Sequence, residues 1–323
     1  MSNKLISTLL TAICMVTGAY GQTTYPNKPI TVIVTVAVGS AADIALRTVL
    51  QKMSENMESP IVIENLQGAA GLLGATKVAS VIPNGYTIGG FNEGPVNSVP
   101  QLYPNVPYDP FTSFAPIGLV ARISFVMIVS PDLPVKTVKE FIALSNTPGS
   151  QLAYASPGGN GSPMHLAMEL FKAATQTNAL HVPYRSTGAA ATDVMAGRVQ
   201  VTITSLAPVL ELIRAKKVNA LGVASLARSP LLPDVPTIAE SGVPGFTYST
   251  WTGLVAPKNT PQPIISKLNY EMIKAINDPA IKQRLISLGL EPVGSTPEQL
   301  ELQIRTGYNN IARIIKSAGI TAD

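Results

Sequence analysis

The sequence predicts an α/β protein of two lobes, with mainly parallel sheets and two crossing strands around a cleft. Three observations carry this. Apolar strand candidates alternate with helix candidates along most of the chain, the pattern of strands joined by crossover helices. Two apolar runs, residues 117–130 and 251–256, fall where a chain would leave one lobe and later return to it. Finally, residues 38–43 (VGSAAD) and 156–163 (SPGGNGSP) each follow an apolar strand and open a helix. Unpaired N–H groups and the positive end of the helix dipole converge at such a junction, so each loop is an anion site. Two of them suggest a carboxylate held in a cleft between the lobes.

The elements follow in order. After the strand at 30–34, Leu46, Leu50, Met53 and Met57 mark one face of a helix. Residues 60–64 form the next strand, Gly68-Ala69-Ala70-Gly71 a turn, and Ala75, Val78 and Ile82 the packed side of a second helix. Asn84-Gly85 punctuates before a strand at 86–88, and residues 100–116 are a proline- and aromatic-rich connection. The run 117–130, interrupted by Arg122 and Ser124, is the first crossing. A second α/β set has strands at 152–154, 179–182, 199–203 and 221–224, with helices after Pro163 and around 189–195. The tail is helical. Thr296-Pro297-Glu298-Gln299 is a capping-box start, Leu300, Ile304, Tyr308, Ile311 and Ile315 a buried stripe, and Gly319 the stop. The expected division is a signal peptide at 1–21, lobe 1 at 22–122 and 248–323, and lobe 2 at 123–247.

Charged residues make up only 13% of the 323, and Pro (27) and Gly (25) are frequent, which suits a compact, loop-rich protein and speaks against disorder. The net charge of +4 is dispersed. Arg214, Lys216 and Lys217 read as a solvated helix end, so no nucleic-acid partner is expected. Lys4, the apolar stretch 5–16 and Ala19-Tyr20-Gly21 read as an export signal cleaved between Gly21 and Gln22, too short to span a bilayer comfortably. Cys14 is the chain's one cysteine. The residues before it make a poor lipidation motif, and its removal leaves a mature chain without thiols, suited to the periplasm.

Histidine occurs at 165 and 181 only, so no metal or cofactor is expected. His165 either donates to a bound carboxylate or caps and packs its helix, while His181 reads as a core residue. Ser156 and Ser162 lie near His165, but no G-x-S-x-G elbow accompanies them. Neither loop carries a P-loop or G-x-G-x-x-G pattern. Tyr184-Arg185 forms a third strand-to-helix loop, with Arg185 a charge partner for an acid or a solvated arginine. Glu93, after the third strand, is either an exposed carboxylate or a receptor for a cationic group on the ligand.

At these residues the chain resembles the tricarboxylate-transporter-type solute receptors of the Bordetella uptake gene family. The matching words include Tyr25-Pro26-Asn27-Lys28-Pro29-Ile30, Pro83-Asn84-Gly85-Tyr86-Thr87, Gly161-Ser162-Pro163-Met164-His165-Leu166, His181-Val182-Pro183-Tyr184-Arg185 and Glu291-Pro292-Val293-Gly294-Ser295. The resemblance implies a class II periplasmic binding-protein fold with a small carboxylate clamped between lobes by loop amides and ordered waters. By carry-over, Ala41, Ala42 and Asp43 fall on the first binding loop, Ser156, Asn160, Gly161, Ser162 and His165 on the second, and Tyr184 on the third; Gly39 and Ser40 in the first loop and Arg185 in the third join them as candidate ligand contacts. Four positions depart from the family pattern: Ser40 for a second glycine, Ser186 for glycine, Thr204 for aspartate and Glu93 for a small residue. The implied role is a monomeric, non-enzymatic periplasmic receptor that hands its carboxylate to tripartite tricarboxylate-type transporter subunits. The alternatives are a sensory receptor signalling to a membrane kinase, a secreted hydrolase, or a receptor for an amino acid or other zwitterion.

Overall fold

In the computed structural model, residues 25–321 are described. The expected signal peptide, its cleavage point at Gly21 and Cys14 lie outside them.

The first sheet grows from β1 (Ile30–Val34), whose residues are buried except the half-buried Thr31. It is flanked in parallel by β2 (Ile61–Asn65) and β3 (Thr87–Asn92). The connections are α1 (Ala41–Met57) and α2 (Leu72–Ser80). The expected α1 stripe is buried at Leu46, Leu50 and Met53, with Met57 packed at its edge. A π-helical turn (Gly94–Ser98) and the short α3 (Val99–Leu102) follow β3.

The first crossing strand is β4 (Phe114–Val129). Up to Ser124 it pairs antiparallel with β9 (Ser249–Pro257), and from Phe125 onward with β7 (Val201–Ser205) and β8 (Asn219–Val223). The partner change between Ser124 and Phe125 marks the passage from one sheet to the other. β9 also pairs antiparallel with β3. After α4 (Val138–Ser145), the second sheet adds β5 (Ala153–Pro157), which runs parallel to β6 (Leu180–Tyr184) and β7. Its helices are α5 (Pro163–Thr175), α6 (Thr187–Met195) and α7 (Leu210–Arg214).

The two-lobe α/β architecture is as expected, but the sheets are mixed rather than mainly parallel. Between the named strands, parallel pairing is confined to β2-β1-β3 and β6-β5-β7. One strand leaves the first sheet and the other returns to it across the same boundary, so β4 and β9 must run in opposite directions.

The chain ends with α8 (Gln262–Asn277), α9 (Pro279–Ser287), β10 (Leu290–Pro292) against β4, and α10 (Pro297–Ala318). The capping box forms as read, with Thr296 and Gln299 each accepting from the other's backbone N–H. Gly319 closes α10 at φ 63°. Leu300 and Ile304 pack into a small core with Phe91, Val96 and Trp251, whereas Ile311 joins the main core, which runs through both sheets. α10 touches the π-turn and β4, and also α5 of the second sheet.

Candidate ligand cleft

Every loop that follows a parallel strand of β1, β2, β3, β5 or β6 opens on one cavity of about 560 Å³. Ligands collect at the carboxyl ends of parallel strands because helix N-termini gather there. Three such termini meet here, and each is capped by a serine in the cavity wall: Ser40 of α1, Ser162 of α5 and Ser186 of α6. Their hydroxyls accept from the N–H groups of Asp43, His165 and Ala189. Those bonds lock the first turns and leave earlier N–H groups of each helix to a ligand. Arg185 stands in the same wall and makes no hydrogen bond or ion pair among the described residues. None of the described lining residues is acidic. The cavity is therefore electropositive through backbone dipoles and one unpaired guanidinium, a combination that attracts an anion.

The sequence matches the tripartite tricarboxylate transporter family receptor over residues 45–320. The chain belongs to that family. It is 34% identical to a UPF0065 protein from the TAR-I ttuE-ttuC' intergenic region of Agrobacterium vitis, over 99% of this chain and 92% of that protein. Its fold superposes on the periplasmic binding protein BugD with a TM-score of 0.87 at 33% identity, covering 93% of this chain and all of BugD. It also superposes on Rpa4515 of R. palustris, solved with adipate, with a TM-score of 0.89 at 31% identity, covering 92% of this chain and 99% of that one.

Of the family receptor's expected site residues, Ser40, Ser162, Tyr184 and Arg185 line the cavity. The others are placed around it. Ala41 and Ala42 are buried in the first turn of α1. The Asp43 carboxylate turns away to accept from the Gly39 N–H (2.9 Å), Arg47 Nε (2.9 Å) and Asn65 Nδ2 (2.8 Å), so it shapes the loop from behind. Asn160 and Gly161 face the first lobe: Tyr103 Oη donates to the Asn160 carbonyl (3.3 Å), and a Cβ on Gly161 would lie 2.7 Å from Leu102 Cδ1. The Gly161 N–H is taken by His165 Nδ1 (3.1 Å). His165 in turn stacks on His181 (4.2 Å), and His181 stacks on Tyr154 (4.9 Å). Ser156 is fully buried, with its hydroxyl bonded to His181 Nε2 rather than exposed to a substrate. Both histidines thus brace the second loop from beneath.

Tyr184 lines the cavity, while its phenol donates to Asp193 Oδ2 (2.8 Å). Partial burial and that carboxylate push the phenol up to about 12. Thr204 does not reach the cleft. It lies within β7 opposite Val126, fully buried, with its hydroxyl unbonded among the described residues. Glu93 is also withdrawn from the cavity, buried and accepting from Tyr248 Oη (2.7 Å).

Sequence reasoning missed Asn92, Gln67 and the segment 68–71 in the wall. Ala69 and Ala70 adopt φ of 46° and 52°, closed by a Gly71 N–H to Gly68 C=O bond of 2.9 Å. The left-handed region is unfavourable for alanine by roughly 1–2 kcal/mol per residue, and strain of this kind collects at functional sites. Ala70→Gly is expected to raise stability by about 1 kcal/mol, offset in part by glycine's extra chain entropy, as read from the urea midpoint. An unchanged or lower midpoint would show that the Ala70 methyl, which faces Gly161 across the cleft, outweighs the strain.

Proposed function

We propose that this protein is a periplasmic receptor that captures a small organic carboxylate between its lobes and delivers it to membrane subunits of a tripartite tricarboxylate transporter. The observation that carries the reading is the unpaired Arg185 beside three serine-capped helix N-termini, in a wall whose described residues include no carboxylate. The adipate in the R. palustris relative supports the same ligand class. The zwitterion alternative drew on Glu93 as a partner for an ammonium, and that carboxyl is bonded to Tyr248 instead. A hydrolase would need an accessible, activated nucleophile, whereas Ser156 is buried against His181 and the Ser162 hydroxyl caps α5 with no histidine ring bonded to it among the described residues. Export, release after Gly21 and a monomeric state complete the proposal, with lobe 1 at 22–122 and 248–323 and lobe 2 at 123–247. Among the described residues no helix is long and apolar enough to cross a membrane.

The test is titration calorimetry and thermal shift with C4 to C6 dicarboxylates. A ligand at a hundred times its Kd stabilises the fold by about 2.7 kcal/mol. Arg185→Ala is expected to weaken binding more than tenfold with unchanged melting of the free protein, since the side chain is exposed and unpaired. Equal affinity of mutant and parent would remove Arg185 from the site. Closure is a rotation about the partner change in β4 and the start of β9, so saturating ligand should shrink the radius of gyration in small-angle scattering. Loss of uptake in a deletion strain, with transcription intact, separates transport from sensing.

A further inference from the structure

The geometry points to Asn92 as the residue that selects what stands at the end of the ligand remote from Arg185. Its amide offers the cavity N–H donors only, so the site takes a carboxylate whose remote group is a hydrogen-bond acceptor and rejects one whose remote group is an ammonium. This inference rests on the receptor reading above and narrows it to a chemical class.

Asn92 is the last residue of β3 and lines the cavity from the first lobe, whereas Arg185 lines it from the second. An asparagine side chain carries an acceptor and a donor pair, and which of them faces a ligand is normally open. Here it is settled. Asn92 Oδ1 accepts the Gly94 N–H at 3.0 Å, and Nδ2 has no hydrogen-bond partner among the described residues. Turning the amide over would set its NH₂ against the Gly94 N–H, donor against donor. Gly94 cannot drift to accommodate that, because even a Cβ on it would lie 2.4 Å from the Ala70 carbonyl oxygen. The oxygen is therefore committed to the backbone and the nitrogen to the cavity.

The surroundings reinforce the choice. Glu93, next in the chain, gives its carboxyl to Tyr248. No acidic side chain among the described lining residues offers an ammonium a partner, and three helix N-termini present positive dipole ends. An ammonium brought here loses water and meets positive potential with no carboxylate among the described lining residues to pair it. A second carboxylate, a carbonyl or a hydroxyl instead accepts from Nδ2. Acceptor-to-donor mismatches at a site built to hydrogen-bond discriminate strongly, because buried polar groups are left unpaired.

Asn92→Asp is the decisive variant. It keeps an oxygen for the Gly94 N–H and replaces the donor pair with an anionic acceptor of the same shape. The probes are succinate, glutarate and adipate, each with its monocarboxylate and ω-amino-acid counterpart of equal length, titrated calorimetrically. The parent protein is expected to prefer the best dicarboxylate over its ω-amino-acid match by at least tenfold. In Asn92→Asp that dicarboxylate should weaken at least tenfold while the ω-amino acid tightens, reversing the preference. Asn92→Ser, which removes the donor pair without adding charge, should bring the dicarboxylate down toward the monocarboxylate, and serves if the aspartate variant melts early. A dicarboxylate-to-amino-acid ratio in a folded Asn92→Asp protein within twofold of the parent's overturns the inference, as does a parent that prefers the ω-amino acid. If all probes fail to bind the parent, the receptor reading falls and takes this inference with it. If carboxylates bind in an Arg185-dependent way but the ratio does not move, only the role of Asn92 falls.

Discussion

Asp43→Ala is expected to destabilise the protein by about 3 kcal/mol, the loss typical when one partner of a buried hydrogen-bonded charge pair is removed. The carboxylate is 1% exposed and holds together three parts of the first lobe. It binds the Gly39 N–H at the loop tip, Arg47 one turn further along α1, and Asn65 at the end of β2. Asn65 Nδ2 also reaches the Val36 carbonyl (3.0 Å), and Arg47 Nη2 donates to Asn65 Oδ1 (2.6 Å). Alanine takes one of the partners of the half-buried Asn65 amide and releases the Gly39 N–H at the loop tip. Arg47, 42% exposed, rehydrates, which holds the loss near the low end of that range. Urea unfolding measures this directly, and a loss below 1 kcal/mol would mean that the cluster does not hold the loop. Because Val36, Ala37 and Ser40 line the cavity, ligand affinity should fall as well, even in conditions where the mutant remains folded.

Stability should also fall as pH rises from about 4.5 to 7, and one side chain should account for most of that loss. Burial pushes the Glu93 carboxyl up to about 7, against the hydrogen bond from Tyr248, and no cation compensates it among the described residues. The open chain ionises this group near 4.5. Its protonated form is therefore at home in the fold below 4.5, and the associated stability is lost progressively until the folded group has itself ionised. The difference between the two values corresponds to about 3 kcal/mol. Glu93→Gln keeps an oxygen for the Tyr248 phenol and cannot ionise. It should match the parent at pH 4.5 and exceed it by up to about 3 kcal/mol at pH 8, in urea titrations at both values. Parallel pH profiles for mutant and parent would show that water or a nearby group already relieves the buried charge.

The fold was legible because its signals are local and repeated. The α1 stripe, the capping box at Thr296 and the Gly319 stop depend on a few neighbouring residues, and each formed as read. The crossings were legible as long apolar runs, but their direction was not, since strand polarity depends on what lies alongside. At the cleft, small residues between strand and helix exposed three of the wall segments. The failures have a common origin. Glu93 was chosen because it is charged, yet the strand ends at Asn92, which lines the cavity, and Glu93 already turns into the π-turn, where Tyr248 takes its carboxyl. Asp43 and His165 sit three residues into their helices, where the cap serine and the loop backbone claim them before a ligand can. Thr204 lies within a strand buried on both faces, one residue short of its end. The wall at 68–71 looked like an ordinary turn, because nothing in the letters Ala-Ala announces a left-handed backbone.

The last helix bears on how the molecule moves. α10 touches the π-turn and β4 on one side of the cleft and α5 on the other. Any swing about the crossing strands must drag α5 along α10. Sliding between packed helices is shear rather than free pivoting. The lobes therefore share a bearing surface as well as an axle, and α10 supplies it.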